Sequence, residues 1–431
     1  MKQNFKYKVG QWLPSDQEFF DDWMAKLVAK VDAQEHHHFH PSVKALQELI
    51  ESNRYYFNLF QLMFTEVPRK YAKSPDGKKQ VRDYMHMLKL INHVLEQPPL
   101  FNTTGLVGFP INAILDWPMA TDAGYVAFMD PQVNARFKDI LDAWGRFLMS
   151  PASASVLNQS PEGWLNPTAL DSMRKAAYAE NKPFPEIFRC PDPDIDKGYG
   201  FKSWDDFFTR EFQQGMRPVA SPDDPDVIAN ACESAPYRIA KDLPLHAKYW
   251  IKGQPYSLGE LLHNDPLTSE FIGGTLYQAF LSALSYHRWH SPVAGTIVKA
   301  YNVYGTYYSE NLYEGFENPE GAADPAAPND SQAYITEVAS RAIIFIKADN
   351  PKIGLMAFVA VGMAEVSSNE ITVKVGQHVE KGEQLGMFHF GGSTHCLIFR
   401  PGVNIDFDLH GQEAGLESTN IPLHSRIAVV K

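Results

Sequence analysis

The chain has 431 residues, 44% of them apolar and 21% charged, with a formal net charge of −12. Such a composition belongs to a globular protein with apolar side chains enough for more than one core, and the negative balance excludes a general nucleic-acid or anionic-membrane surface. Three cysteines, Cys190, Cys232 and Cys396, are too few and too scattered for a disulfide framework or a zinc site. With no apolar h-region in the first twenty residues, they predict a reducing, cytoplasmic setting.

In chain order, the first ~180 residues read as helical by periodicity. Ser15 and Glu18 form a capping-box pattern, after which Phe19, Phe20, Trp23, Met24, Leu27 and Val28 recur at helical spacing. Pro41 opens a second helix, running through Leu46, Leu49, Ile50, Tyr56, Phe57 and Phe60. A third is predicted around "VRDYMHMLKLINHVL", a fourth after Asp130-Pro131 and a fifth after Asn166-Pro167. No glycine loop for nucleotides occurs in this region, and it shows no evident chemistry.

The Pro/Asp/Gly-rich stretch Arg189–Gly200 reads as a linker. It divides the chain into a helical N-terminal domain, 1–188, and a second domain, 189–431. In the latter, "GTIVKAYNV", "RAIIFIKAD", "LMAFVAVGM" and "ITVKV" read as strands. The apolar run Ile353–Ala364 is too short to span a membrane and suits a buried strand. Asn318–Gln332 reads as a loop, and Val373–Gly386 as two strands joined by glycine-bearing turns. The predicted class is α+β.

Chemistry is sought first in "YHRWHSPVAGTI". His287 and His290, three apart, would share one helical face and could bind metal, but no third ligand stands near. Two hydrogen-bonded core histidines and a general acid–base pair are the other readings. The cluster "EHHHFHP" (Glu35–Pro41) lies in a predicted interhelical loop and reads as solvated. In "MFHFGGSTHCLIF" (Met387–Phe399), two glycines and a serine interrupt a strand pattern. Gly391-Gly392-Ser393-Thr394-His395 fails the Gly-x-Ser-x-Gly nucleophile elbow at its last place. A bulge is one reading. The other is attack of the Ser393 hydroxyl on the Gly392 carbonyl, ester formation, and elimination that cuts the chain and leaves a pyruvoyl group.

Taken together, five blocks in order resemble the phosphatidylserine decarboxylase family. They are "FKSWDDFFTREFQQGMRPV" (Phe201–Val219), "IKGQPYSLGELL" (Ile251–Leu262), "YHRWHSPVAGTI", "LMAFVAVGMAEV" and "LGMFHFGGSTHCLIF". The resemblance spans roughly 200–431. It implies self-cleavage between Gly392 and Ser393, a pyruvoyl group from Ser393 as the cofactor without pyridoxal phosphate or metal, and a C-terminal chain 393–431 of 39 residues. It implies His290 as the base for cleavage and His287 as proton donor in decarboxylation. Glu233, in "ANACESAPYRI", stands where the family has its relay aspartate. Arg341 matches a family arginine, and His395, where the family has an apolar residue, would line the substrate pocket or face solvent.

What this implies is a pyruvoyl-dependent carboxy-lyase that binds its amine substrate as a Schiff base. Within the family the chain is similar to fungal tryptophan decarboxylases, so the expected substrate is a free aromatic L-amino acid, tryptophan first. Phosphatidylserine is the alternative substrate. A non-cleaving binding module is the other class, since Val373–Gly386 also resembles the hairpin of biotinyl and lipoyl carrier domains. The expected partners are this small molecule and the chain's own 393–431 piece, with a homo-oligomer left open and no nucleic acid.

Overall fold

Proline and capping residues punctuate the helical half as their chemistry requires. A computed structural model describes residues 17–34, 38–68, 80–101, 110–247, 256–281, 284–309, 332–362, 364–365, 368–390, 393–415 and 418–431, without the side chains of 17–21. The Ser15–Glu18 cap and the loop at 318–331 lie outside this set.

Seven helices come first: α1 (Gln17–Asp32), α2 (Pro41–Ser52), α3 (Arg54–Leu62), α4 (Tyr84–Val94), α5 (Pro110–Met119), α6 (Asp122–Met129) and α7 (Pro131–Leu148). The second predicted helix is in fact two, because Asn53 is extended and its side chain caps the N-terminus of α3. Asp130 accepts from two N–H groups of α7 and Pro131 fills its first turn. Asn166 accepts one N–H group, that of Ala169, at the start of α8 (Pro167–Ala176), and Pro167 fills its first turn. Helices α5 and α6 escape periodicity analysis, since they are apolar on most sides and Pro118 sits inside α5. The stretch read as a linker is a packed turn, with Tyr199 buried and stacked on Phe184 of α9 (Phe184–Ile187).

After α10 (Trp204–Phe208) the chain turns to strands: β1 (Val227–Ala229), β2 (Ala235–Ala240), β3 (Thr275–Leu281), β4 (Arg288–His290), β5 (Gly295–Val303), β6 (Arg341–Ala348) and β7 (Leu355–Gly362). Then follow β8 (Ser368–Ile371), β9 (His378–Val379), β10 (Gln384–His389), β11 (Ser393–Phe399), β12 (Ile405–Phe407) and β13 (Arg426–Val430). Two short helices, α11 (Leu258–Leu261) and α12 (Gln332–Val338), interrupt them. The strands form an antiparallel seven-stranded sheet, order β2-β3-β11-β7-β6-β5-β9, and two three-stranded sheets, β1-β13-β12 and β4-β10-β8. The fold is α+β, a helical half followed by a β-rich half, and one continuous set of buried side chains runs through both.

Three strand expectations change, the first being "ITVKV", of which only Ile371 is in a strand, at the end of β8. Met387–Phe399 is two strands in different sheets: β10 ends at His389 and β11 begins at Ser393. The strands within Val373–Gly386 are not hairpin partners, for β9 pairs with β5 whereas β10 pairs with β4 and β8. The β10 ribbon lies over the large sheet, with Trp289 of β4 stacked on Phe358 of β7 and in contact with Phe388 of β10. Gly386 is needed there. A Cβ would stand 2.6 Å from the Trp289 ring and 2.2 Å from the Glu370 carbonyl oxygen.

Candidate active site

Ser393 opens β11 in the middle of the large sheet, paired across to Leu281 of β3 and Gly362 of β7. Its side chain is 1% exposed, and its Oγ has no hydrogen-bond partner among the described residues. A buried hydroxyl without a partner costs about 1–3 kcal/mol, so the position carries a cost with no return in stability. Gly391 and Gly392 lie outside the described residues.

The end of β10 is held from three sides. His389 presents a ring nitrogen to a carboxylate on each side, Asp205 of α10 at 3.0 Å and Glu370 of β8 at 2.8 Å, both of which can only accept. Burial would lower its pKa, but Asp205 and then Glu370 outweigh that and hold it above the usual histidine range. Phe390 follows with φ +55°, a left-handed conformation rare for a bulky residue. Its ring meets Trp144 edge-on at 4.6 Å and also touches Trp204 and Phe208.

His287 belongs to this cluster. Its ring stacks on Phe208 at 3.9 Å, and its carbonyl accepts the Phe388 N–H. His290 lies further along the same ribbon, opposite Gln384. Its Nδ1 is 2.8 Å from the Gly382 carbonyl oxygen, which can only accept, so Nδ1 carries the proton and Nε2 the lone pair. Tyr286 Oη stands 3.4 Å from Nε2, and the His424 ring packs at 4.7 Å. Burial, then His424, holds the His290 pKa down to about 3. The helical-face reading of the two histidines fails, because this segment is extended and spacing of three in a strand alternates faces.

Glu233 is 1% exposed, and its carboxylate is taken up by the guanidinium of Arg217, at 2.9 Å and 2.5 Å, and by the Leu423 N–H at 2.7 Å. No hydrogen bond joins it to His290 among the described residues. It reaches that ring at one remove: Leu423 precedes His424, whose Nδ1–H donates to the Arg217 carbonyl at 2.8 Å. The structure thus gathers His287 and Phe390 about Phe208, and His290 with His424 and Glu233 behind it. Arg217 and His424 were missed in the sequence. Arg217 stands in the quoted "GMRPV" block, a usable signal, whereas nothing in "PLHSR" marks His424.

His395 shares the face of β11 with Ser393, two residues on. It is buried against Phe358 and Tyr277, which removes the solvent-facing reading, and burial holds its pKa down to about 3. Arg341 donates to the Leu261 and Glu260 carbonyls, closing the end of α11. Of the "EHHHFHP" cluster, His40 caps α2 and 35–37 lie outside the described residues.

The phosphatidylserine decarboxylase family matches this chain twice, over residues 40–173 and 204–415. The decarboxylase iboD of Amanita muscaria is 46% identical over 70% of this chain and 86% of that protein. The L-tryptophan decarboxylase of Psilocybe cubensis is 37% identical over 90% of this chain and 88% of that protein. The phosphatidylserine decarboxylase proenzyme 3 of Schizosaccharomyces pombe is 32% identical over 53% of this chain and 22% of that protein.

Proposed function

This chain belongs to the phosphatidylserine decarboxylase family and is a carboxy-lyase, and from that premise we propose that it makes its own pyruvoyl group from Ser393 and decarboxylates a free aromatic L-amino acid, tryptophan first. The observation that carries the substrate is the match to L-tryptophan decarboxylases at 37% identity over nine-tenths of this chain, against 26–32% identity over 53–70% of it for phosphatidylserine decarboxylases. No described helix is long and apolar enough to cross a membrane, and the reading keeps the cytoplasmic setting.

Self-processing begins when a base takes the Ser393 hydroxyl proton and Oγ bonds to the Gly392 carbonyl carbon. The peptide C–N bond breaks, its nitrogen gains the proton that the base had taken from Oγ, and an ester replaces the amide. Loss of the Ser393 Cα proton expels the Gly392 carboxylate and leaves dehydroalanine, whose nitrogen water then displaces as ammonia. The buried, unpartnered Oγ fits this role. The pyruvoyl ketone, once formed, supplies the sink for the electrons left as carbon dioxide departs.

His290 is assigned the base, since its Gly382 bond leaves Nε2 with the lone pair. Its low pKa keeps it neutral and able to accept. His287, stacked on Phe208, is assigned the proton delivered to the decarboxylated carbon. Glu233 is a positioning residue, holding Arg217 and Leu423 and through them His424 against His290. The 393–431 piece is the chain's partner after the cut.

The test incubates the purified chain with L-tryptophan and, separately, with phosphatidylserine vesicles, following carbon dioxide and the amine product. Tryptamine from wild type and none from Ser393→Ala is the expected result. Conversion of the lipid with tryptophan untouched would replace the substrate, and no turnover of either by an uncut chain would favour the binding module.

A further inference from the structure

The helical half shows no chemistry of its own, yet it grips the chain just before Ser393 and the chain just beyond the strand paired beside it. On one side is Phe390, three residues before Ser393. A phenylalanine at φ +55° persists only where its surroundings hold it. Those surroundings are three aromatic rings, and the nearest, Trp144, belongs to α7. Trp144 is itself fixed, 1% exposed, with its indole N–H donating to the Gln97 carbonyl at 3.0 Å. Trp204, the second ring, sits on backbone that is tied to the helical half: its main-chain N–H donates to Ser153 Oγ at 2.9 Å.

On the other side is Glu365, three residues after Gly362, the cross-strand partner of Ser393. Its Oε1 accepts the N–H groups of Ile111 and Asn112 in the first turn of α5. The two grips involve different helices and different strands, so one does not follow from the other.

Resting on the self-processing reading above, we infer that Trp144 is a positioning residue for the cut: its edge contact keeps Phe390 left-handed and so fixes the direction in which the chain leaves β10 for Ser393. The helical half is then part of the processing machinery and not only a cover. Ordinary packing is the competing explanation, and it predicts that any equally buried aromatic of the helical half matters as much.

The full chain is made in a pulse of cell-free synthesis, and samples quenched over time are weighed intact to follow loss of the uncut chain and gain of the 393–431 fragment. Trp144→Leu keeps an apolar side chain but removes the ring edge together with the indole bond to Gln97, which Trp144→Phe removes alone, and Phe390→Leu tests the same contact from its other side. Each is expected to slow cutting about tenfold, with Trp144→Phe near the wild-type rate. Phe128→Ala is the control, because its ring meets Phe60 and Phe137 and not Phe390. It should cut at the wild-type rate while lowering the melting temperature at least as much. Wild-type cutting by both leucine variants, or slowing by Phe128→Ala in proportion to lost stability, would overturn the inference. An uncut wild-type chain would instead bring down the self-processing reading itself.

Discussion

Two buried glutamates meet the interior in opposite ways. Glu233 faces a guanidinium, and removing a partner from such a pair leaves an uncompensated charge. Glu365 has only backbone donors, and burial pushes its pKa up to about 8 despite the N–H groups of Asn112 and Ile111. The folded state therefore holds a proton on Glu365 that the unfolded chain releases above its ordinary value of 4.5. Its contribution is complete below that value and is lost as pH rises towards 8. His389, also raised, acts in the same direction from about 6.5 upward. His290 and His395, held low, act oppositely and weaken the fold as pH falls below 6.5. Glu365→Gln removes one of these effects alone. Its stability relative to wild type, from denaturant unfolding, should rise between pH 5 and 8 by up to about 1.4 kcal/mol per unit. A constant difference would mean that Glu365 is ionised in the folded chain. None of this was legible in the sequence, since the donors to Glu365 lie more than 250 residues earlier. Ser393 was legible, because two glycines and a serine violate a strand pattern locally.

At the scale of elements, β11 decides what a cut at its first residue would do. It pairs over its whole length, Ser393 to Phe399, with β3 on one side and β7 on the other, while β13 is the middle strand of its own sheet. A central strand has both ladders satisfied and most of its side chains buried, so a broken peptide bond at its start releases nothing. The 393–431 piece should co-elute with the rest of the chain on native gel filtration and separate only in denaturant. Elution of a free fragment would contradict the sheet order. The strand pattern predicted β5, β6, β7 and β11 from alternation and β-branched residues, with β5 at its predicted bounds and β6 one residue shorter. It could not predict that β9 and β10 join different sheets, because pairing depends on partners distant in sequence. Helices α5 and α6 were missed for the reverse reason: buried on most sides, they have no polar face to give a period.

At the scale of the whole molecule, the Arg189–Gly200 stretch marks a change of composition but not a break in packing. Phe207, Trp164, Trp204 and Phe390 pack in series across it through tilted and edge-on contacts. The α+β class and the family were both legible, the class from periodicity and the family from motif order. The union of the halves was not, since a Pro/Asp/Gly-rich segment looks the same whether it links or packs. The central claim is that this chain cuts itself at Ser393 and carries the result as its reactive group. The most direct measurement is the intact mass of the purified protein under denaturing, reducing conditions. The account predicts two chains, the smaller of 39 residues beginning at position 393 and blocked to N-terminal sequencing. One stable chain of 48.6 kDa would contradict it.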